Sequence, residues 1–189
     1  MSDKTLVLSL ARLPRALGST LHEDLVWVTP DDLGTPSMSA VPGVPLDISV
    51  DMTSVEDGVL VSLATSVDLV GECVRCLDEV REHHDVVSQE VYFEPGAPVL
   101  TSADDEGEEA DDLFVIGERD TSDSETQLRD AIVPLVDPRP LCSDDCAGLC
   151  DVCGEKWVDL PEDHEHFVVD PRLASLASLL GEDGESERS

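Results

Sequence analysis

Aromatic side chains are scarce in this sequence: two Trp, one Tyr and three Phe make up 3% of 189 residues. A core must therefore be assembled mainly from Val and Leu, without the large buried areas that rings supply. Lysine is almost missing, with Lys4 and Lys156 alone, and all basic residues number 11 against 43 acidic ones, for a net charge of −32. That shortage of cations excludes a broad grip on naked nucleic acid or on an anionic membrane, since both are polyanions. The natural macromolecular partners of such a chain are basic. No stretch approaches the roughly 20 apolar residues needed to span a bilayer. The apolar run Leu6-Val7-Leu8 is cut off by Arg12, Pro14 and Arg15 before any leader-like core develops. The expected location is the cytoplasm, where thiols stay reduced, so the six cysteines read as metal ligands rather than as three disulfides.

Alternating apolar residues are plentiful. Leu46, Ile48, Val50 and Met52 alternate with Asp47, Ser49, Asp51 and Thr53, the period of a strand with one wet face. Glu56-Asp57-Gly58 supplies a turn. Val59, Val61, Leu63, Thr65, Val67 and Leu69 then mark a longer strand, and residues 80–93 a third, less regular one. A short strand is expected within 5–10. Leu25 to Val28 is a further apolar run, and residues 29–45, with four prolines, read as loop. Residues 101–125 hold eleven acids and one Arg, a composition expected of a solvated, flexible insertion over 101–124. Leu128, Ile132, Leu135 and Val136 lie at helical spacing, predicting a helix over 125–136 with Ser124 as N-cap and Pro134 disturbing its last turn. Asp170-Pro171-Arg172-Leu173 opens a short helix over 171–180. The reading is an α+β fold: one domain over 1–180, with an antiparallel sheet or meander drawn from about 5–93, one central helix, a Cys-rich knuckle region at 141–157 and a short C-terminal helix. A loose tail fills 181–189.

The cysteines carry the chemistry. Cys73-Val74-Arg75-Cys76 and Cys150-Asp151-Val152-Cys153 are C-x2-C pairs, and Cys142 and Cys146 lie between them. Two well-separated C-x2-C pairs are the signature of a zinc ribbon, in which each tight turn aims two thiolates at one tetrahedral Zn2+. Spacing favours Cys73, Cys76, Cys150 and Cys153 as the ligand set. A rival set joins Cys73 and Cys76 to Cys142 and Cys146, and a third closes locally over Cys142, Cys146, Cys150 and Cys153. His164 and His166 are further candidate ligands, although an acidic loop reads first as exposed surface. Four thiolates leave no open position, so the zinc would be structural. A Cys73/Cys76 thiol oxidoreductase is the enzymatic alternative, but Glu72, Asp78 and Glu79 are expected to raise the thiol pKa. No nucleophile elbow, Walker loop or H-E-x-x-H appears, so no catalytic residue is assigned.

The strings GECVRCLDEV at 71–80, PLCSDDCAGLCDVCGEKW at 140–157 and DPRLASLASLL at 170–180 resemble the YceD family, the large ribosomal RNA subunit accumulation proteins. The resemblance runs from about Leu46 to Leu180. It implies a small, non-enzymatic cytoplasmic protein of ribosome biogenesis, with all six cysteines at family positions. The partner expected on charge is a basic ribosomal protein or a pre-ribosomal particle, with no membrane. Local RNA contact would fall to Arg12, Arg15 or Arg75. A zinc-ribbon transcription or regulatory adaptor is the alternative function.

Overall fold

The computed structural model describes residues 6–100 and 113–166. The chain divides into two compact units, Met1–Cys146 and Ala147–Ser189, where the sequence alone read a single domain over 1–180. The expected helix over 171–180, the tail over 181–189 and the first part of the acidic insertion lie outside the described residues.

Antiparallel sheet dominates the first unit, and helix is sparse. Its strands are β1 (Val7–Ser9), β2 (Thr20–Val28), β3 (Met38–Ala40), β4 (Pro45–Val55), β5 (Gly58–Glu72), β6 (Glu79–Phe93) and β7 (Thr121–Asp123). One helix follows, α1 (Glu125–Ile132), running into a 3-10 turn at Val133–Leu135. The two alternating runs become β4 and β5 for the reason their pattern gives: Ile48, Val50, Met52, Val59, Val61 and Leu63 all face inward and are buried. Each contributes about 1.5–3 kcal/mol relative to an exposed side chain. A two-residue turn joins these strands, with Asp57 in the left-handed region at φ 63°.

β5 organises the large sheet. It pairs along its whole length with β6, from Gly58 opposite Phe93 to Glu72 opposite Glu79. Along its other edge, β4 pairs through Ala64 and β3 pairs at Leu69–Gly71. β2 completes the sheet against β4, from Thr20 opposite Thr53 to Val28 opposite Pro45. β3 arises inside the proline-rich stretch read as loop. β1 does not join this sheet, contrary to the meander expected from 5–93. It pairs instead with β7, Val7 opposite Asp123 and Ser9 opposite Thr121, so the described end of the acidic segment is bound to the N-terminal strand. Ile116, Ser122 and Ser124 are buried there, and the Ile116 amide donates to the Phe93 carbonyl at 2.9 Å.

α1 packs on β6 through a buried polar network. The Tyr92 hydroxyl lies 3.1 Å from Ser124 Oγ and 3.0 Å from Gln127 Oε1. Gln127 Nε2 donates to the Val61 carbonyl at 3.2 Å and to Ser88 Oγ at 3.3 Å. Ser124 therefore does not cap the helix with its side chain; Asp123 Oδ1 accepts from the Glu125 amide at 3.0 Å instead. The helix ends two turns in and tightens to 3-10 over Val133–Leu135, where Pro134 removes an amide.

Candidate metal centres

The β5–β6 connection is a knuckle. Glu72 and Glu79 are the last paired residues, and the chain between them turns on Cys73-Val74-Arg75-Cys76. The Cys73 amide donates to the Asp78 carbonyl at 2.7 Å, and the Leu77 amide donates back to the Cys73 carbonyl at 2.9 Å. Leu77 takes the left-handed conformation, φ 62°, which this turn imposes on the residue after the second cysteine. The loop bearing Cys142 and Cys146 is brought to this tip by two links. The Val74 amide donates to the Pro140 carbonyl at 3.0 Å, and Arg75 Nη1 donates to the carbonyls of Asp144 at 3.2 Å and Cys146 at 2.9 Å.

Four sulfurs converge there. Those of Cys73, Cys76, Cys142 and Cys146 all lie within 4.8 Å of one another. Cys73 Sγ is 3.8 Å from Cys146 Sγ, and Cys76 Sγ is 3.5 Å from Cys142 Sγ. A Zn–S bond of about 2.3 Å in a regular tetrahedron gives sulfur–sulfur edges of about 3.8 Å. These two separations fit that shell, and the all-thiolate donor set is one that zinc favours.

The electrostatics point the same way. Amides of Cys142, Arg75 and Cys76 aimed at Cys73 Sγ draw its thiol down to about 6 against the opposing effect of burial. The expectation of a raised Cys73 pKa thus fails, because backbone amides at hydrogen-bonding range outweigh burial. The Asp78 amide acts on Cys76 in the same lowering sense, but burial and the sulfurs of Cys142, Cys73 and Cys146 outweigh it and push Cys76 up to about 12. Protons alone let few of these sulfurs ionise together; a divalent cation removes that conflict. Cys73 has no exposed surface and Cys76 is 6% exposed, an arrangement opposite to the accessible thiolate of a redox-active C-x-x-C.

The second unit repeats the knuckle. The Cys150 amide donates to the Glu155 carbonyl at 2.7 Å, and the Gly154 amide donates to the Cys150 carbonyl at 2.9 Å. Gly154, at φ 75°, takes the place that Leu77 fills in the first knuckle. Amides two and three residues on, from Val152 and Cys153, point at Cys150 Sγ, as those of Arg75 and Cys76 point at Cys73 Sγ. The structure thus gathers the six cysteines differently from the set favoured on spacing. Cys73 and Cys76 meet Cys142 and Cys146, while Cys150 and Cys153 lie in the other unit, grouped with His164 and His166. Both groups could hold a metal ion.

Three arginines offered as RNA contacts are engaged by their own chain. Arg12 pairs with Glu23, Arg15 with Glu94 at 2.9 Å and Asp120 at 2.5 Å, and Arg75 with the two carbonyls already described. Arg75 matters as an organiser of the first centre, a role that no sequence signal announced.

Residues 61–180 match the family described as large ribosomal RNA subunit accumulation protein YceD. The chain belongs to the YceD family. The family description supports a ribosome-related role and names an accumulation factor rather than an enzyme. Uncharacterized proteins of Mycobacterium bovis and of two Mycobacterium tuberculosis strains are each 32% identical to the chain over 183 residues, covering 97% of it and 85% of their own length. An uncharacterized protein of Mycobacterium leprae is 33% identical over 143 residues, covering 75% of this chain and 62% of its own. No solved structure matches the chain. No helix among the described residues is long and apolar enough to cross a membrane.

Proposed function

We propose that this YceD-family chain is a non-enzymatic factor for accumulation of large-subunit ribosomal RNA. In this reading it is stapled by a structural zinc ion on Cys73, Cys76, Cys142 and Cys146, and it acts by binding a basic ribosomal protein, free or on a pre-ribosomal particle. Such a role belongs to the cytoplasm, where thiols stay reduced and available to metal.

The outer face of the large sheet carries the proposal. Strand register puts Asp24 on β2, Asp47 and Asp51 on β4, Asp68 on β5 and Asp85 on β6 on one face, all exposed. Between them lie small side chains, Ser49, Ser62, Ala64 and Ser66. The one arginine on that face, Arg81, is paired with Glu79 at 2.7 Å. His22, beside Asp24 and Asp51, and His83, beside Asp68 and Asp85, share this face. With both neutral it is predominantly acidic, and such a surface attracts the opposite sign over a distance set by salt, steering and orienting a cationic partner. Zinc at the hairpin tip would serve a different purpose. With four thiolates its shell is closed, so it offers no position for water or substrate; it would hold β5 and β6 to the 142–146 loop.

Affinity purification from growing cells at low and moderate salt tests the reading, using wild type and the triple variant Asp51→Asn/Asp68→Asn/Asp85→Asn. Basic ribosomal proteins should accompany wild type, decline as salt rises, and be depleted in the variant. Recovery of no basic protein, or recovery indifferent to both salt and substitution, would refute it.

A further inference from the structure

We infer that Cys150, Cys153, His164 and His166 form a second zinc centre, distinct from the four-cysteine one, and that this ion rather than an apolar core orders the described part of the second unit, residues 147–166. The inference is independent of the ribosomal role and of which partner the acidic face takes.

The donor atoms of the four residues all lie within 4.8 Å of one another. Cys153 Sγ is 3.6 Å from His164 Nε2. A tetrahedron with Zn–S of about 2.3 Å and Zn–N of about 2.0–2.1 Å has mixed edges of about 3.5–3.6 Å. The two imidazoles stand nearly perpendicular, 87° between planes with centroids 4.4 Å apart, so their nitrogens approach a common point without stacking. Trp157 packs edge-on against His164 at 5.6 Å and sets one side of that ring. The chain reaches these histidines through a turn in which the His164 amide donates to the Pro161 carbonyl at 3.0 Å. In sequence the motif is C-x2-C-x10-H-x-H, two thiolates from a knuckle and two imidazoles from one short segment.

Burial makes the need for a cation plain. Among the described residues of this unit, only Gly148 and Cys150 are buried. Val152, Trp157 and Val158 are 50%, 41% and 76% exposed. Between 147 and 166 the regular features are the knuckle, the bridge of Leu149 to Lys156 and the 3-10 turn Trp157–Asp159. Backbone turns of that size cannot offset the entropy of ordering twenty residues without burial. A bound ion can, because in small metal modules binding free energy becomes folding free energy. Two thiolates and two imidazoles suit zinc, and with all four positions taken by protein the site is structural.

Elemental analysis of the full chain, loaded with zinc and passed through gel filtration, tests this. Wild type should carry two zinc ions per chain. Cys76→Ser should carry one, and His164→Asn/His166→Asn should carry one. After cobalt substitution the double variant should keep four of six coordinating thiolates, so thiolate-to-cobalt absorption falls by a third. Neither histidine is buried, so the large sheet should keep its circular dichroism. Two zinc ions in the double variant would overturn the inference. So would a single ion in wild type, whether lost in Cys76→Ser or retained in both variants. One ion lost only in the double variant would spare the second centre and sink the first.

Discussion

Arg75→Ala tests whether the first centre is preorganised by protein or assembled by metal alone. Arg75 holds the Cys142–Cys146 loop to the knuckle through two hydrogen bonds from one guanidinium nitrogen, to Asp144 and Cys146. The side chain is exposed, so water competes for both bonds, and each is worth the ordinary net of about 0.5–1.5 kcal/mol rather than the larger value for a buried charged donor. Together they contribute about 1–3 kcal/mol to the closed loop. Without them, a zinc ion would have to close that loop itself, and at about 1.4 kcal/mol per factor of ten its affinity should fall by about 5- to 150-fold. The fall is not total, because the Val74 amide still holds Pro140. Competition against a chromophoric zinc chelator measures this directly. Arg75→Lys keeps the charge but loses the planar fork, and should fall between the two. An Arg75→Ala affinity within twofold of wild type would show that the loop is already fixed by other contacts.

Tyr92→Phe leaves the buried Gln127 Oε1 without its hydroxyl donor and should lower stability by about 1–3 kcal/mol in urea denaturation; an unshifted midpoint would mean that the network carries no weight. Leu77→Gly removes about 1–2 kcal/mol of left-handed strain and adds about 0.5–1 kcal/mol of chain entropy, so a modest net gain of about 0.5–1 kcal/mol is expected from an exposed site, and a loss of stability counts against the knuckle geometry. Gly154→Ala should do the reverse, weakening zinc retention at the second centre, because no atom crowds the new Cβ and backbone strain acts alone. His22 and His83 should titrate above 6.5, raised first by hydrogen bonds to Asp51 and Asp68. Their folded pKa is the higher one, so the stability they add is fully present below pH 6.5 and is lost as pH rises through the raised value. NMR titration of Asp51→Asn should return His22 toward 6.5, and a wild-type His22 midpoint at or below 6.5 would exclude the pairing.

How far the sequence disclosed this fold depends on how regular each strand's inward face is. β4 and β5 are legible because every inward position from Leu46 to Leu63 is apolar or small. β2 is not, because Glu23 occupies an inward register position opposite Val50 and is held there by Arg12, breaking the alternation that would announce it. β3 hides among prolines, since an edge strand of three residues leaves little periodic signal. β7 hides for a different reason: acidic composition argues for solvation, yet three residues opposite β1 suffice to bind the segment. The knuckles themselves are legible from C-x2-C spacing, but which pairs share a cation depends on the path between them. Two good knuckles look like halves of one ribbon until His164 and His166 are counted as donors.

Charge gives a reason for the two donor sets to differ. Zinc on four thiolates is formally a dianion, whereas zinc on two thiolates and two neutral imidazoles is formally neutral. In a chain of net charge −32, the dianionic shell is the costlier one to assemble. The two knuckles share their backbone turn but differ at both residues between the cysteines: Val74-Arg75 in the first, Asp151-Val152 in the second. The cation thus stands beside the centre that would be negative, and an acidic residue, Asp151, within the knuckle of the one that would be neutral. If Arg75 acts through charge as well as through its two hydrogen bonds, moderate salt should narrow the gap in zinc affinity between Arg75→Ala and Arg75→Lys. The loss common to both variants, which reflects the geometry of the fork, should persist as salt rises. A gap that is indifferent to salt would assign Arg75 to loop positioning alone.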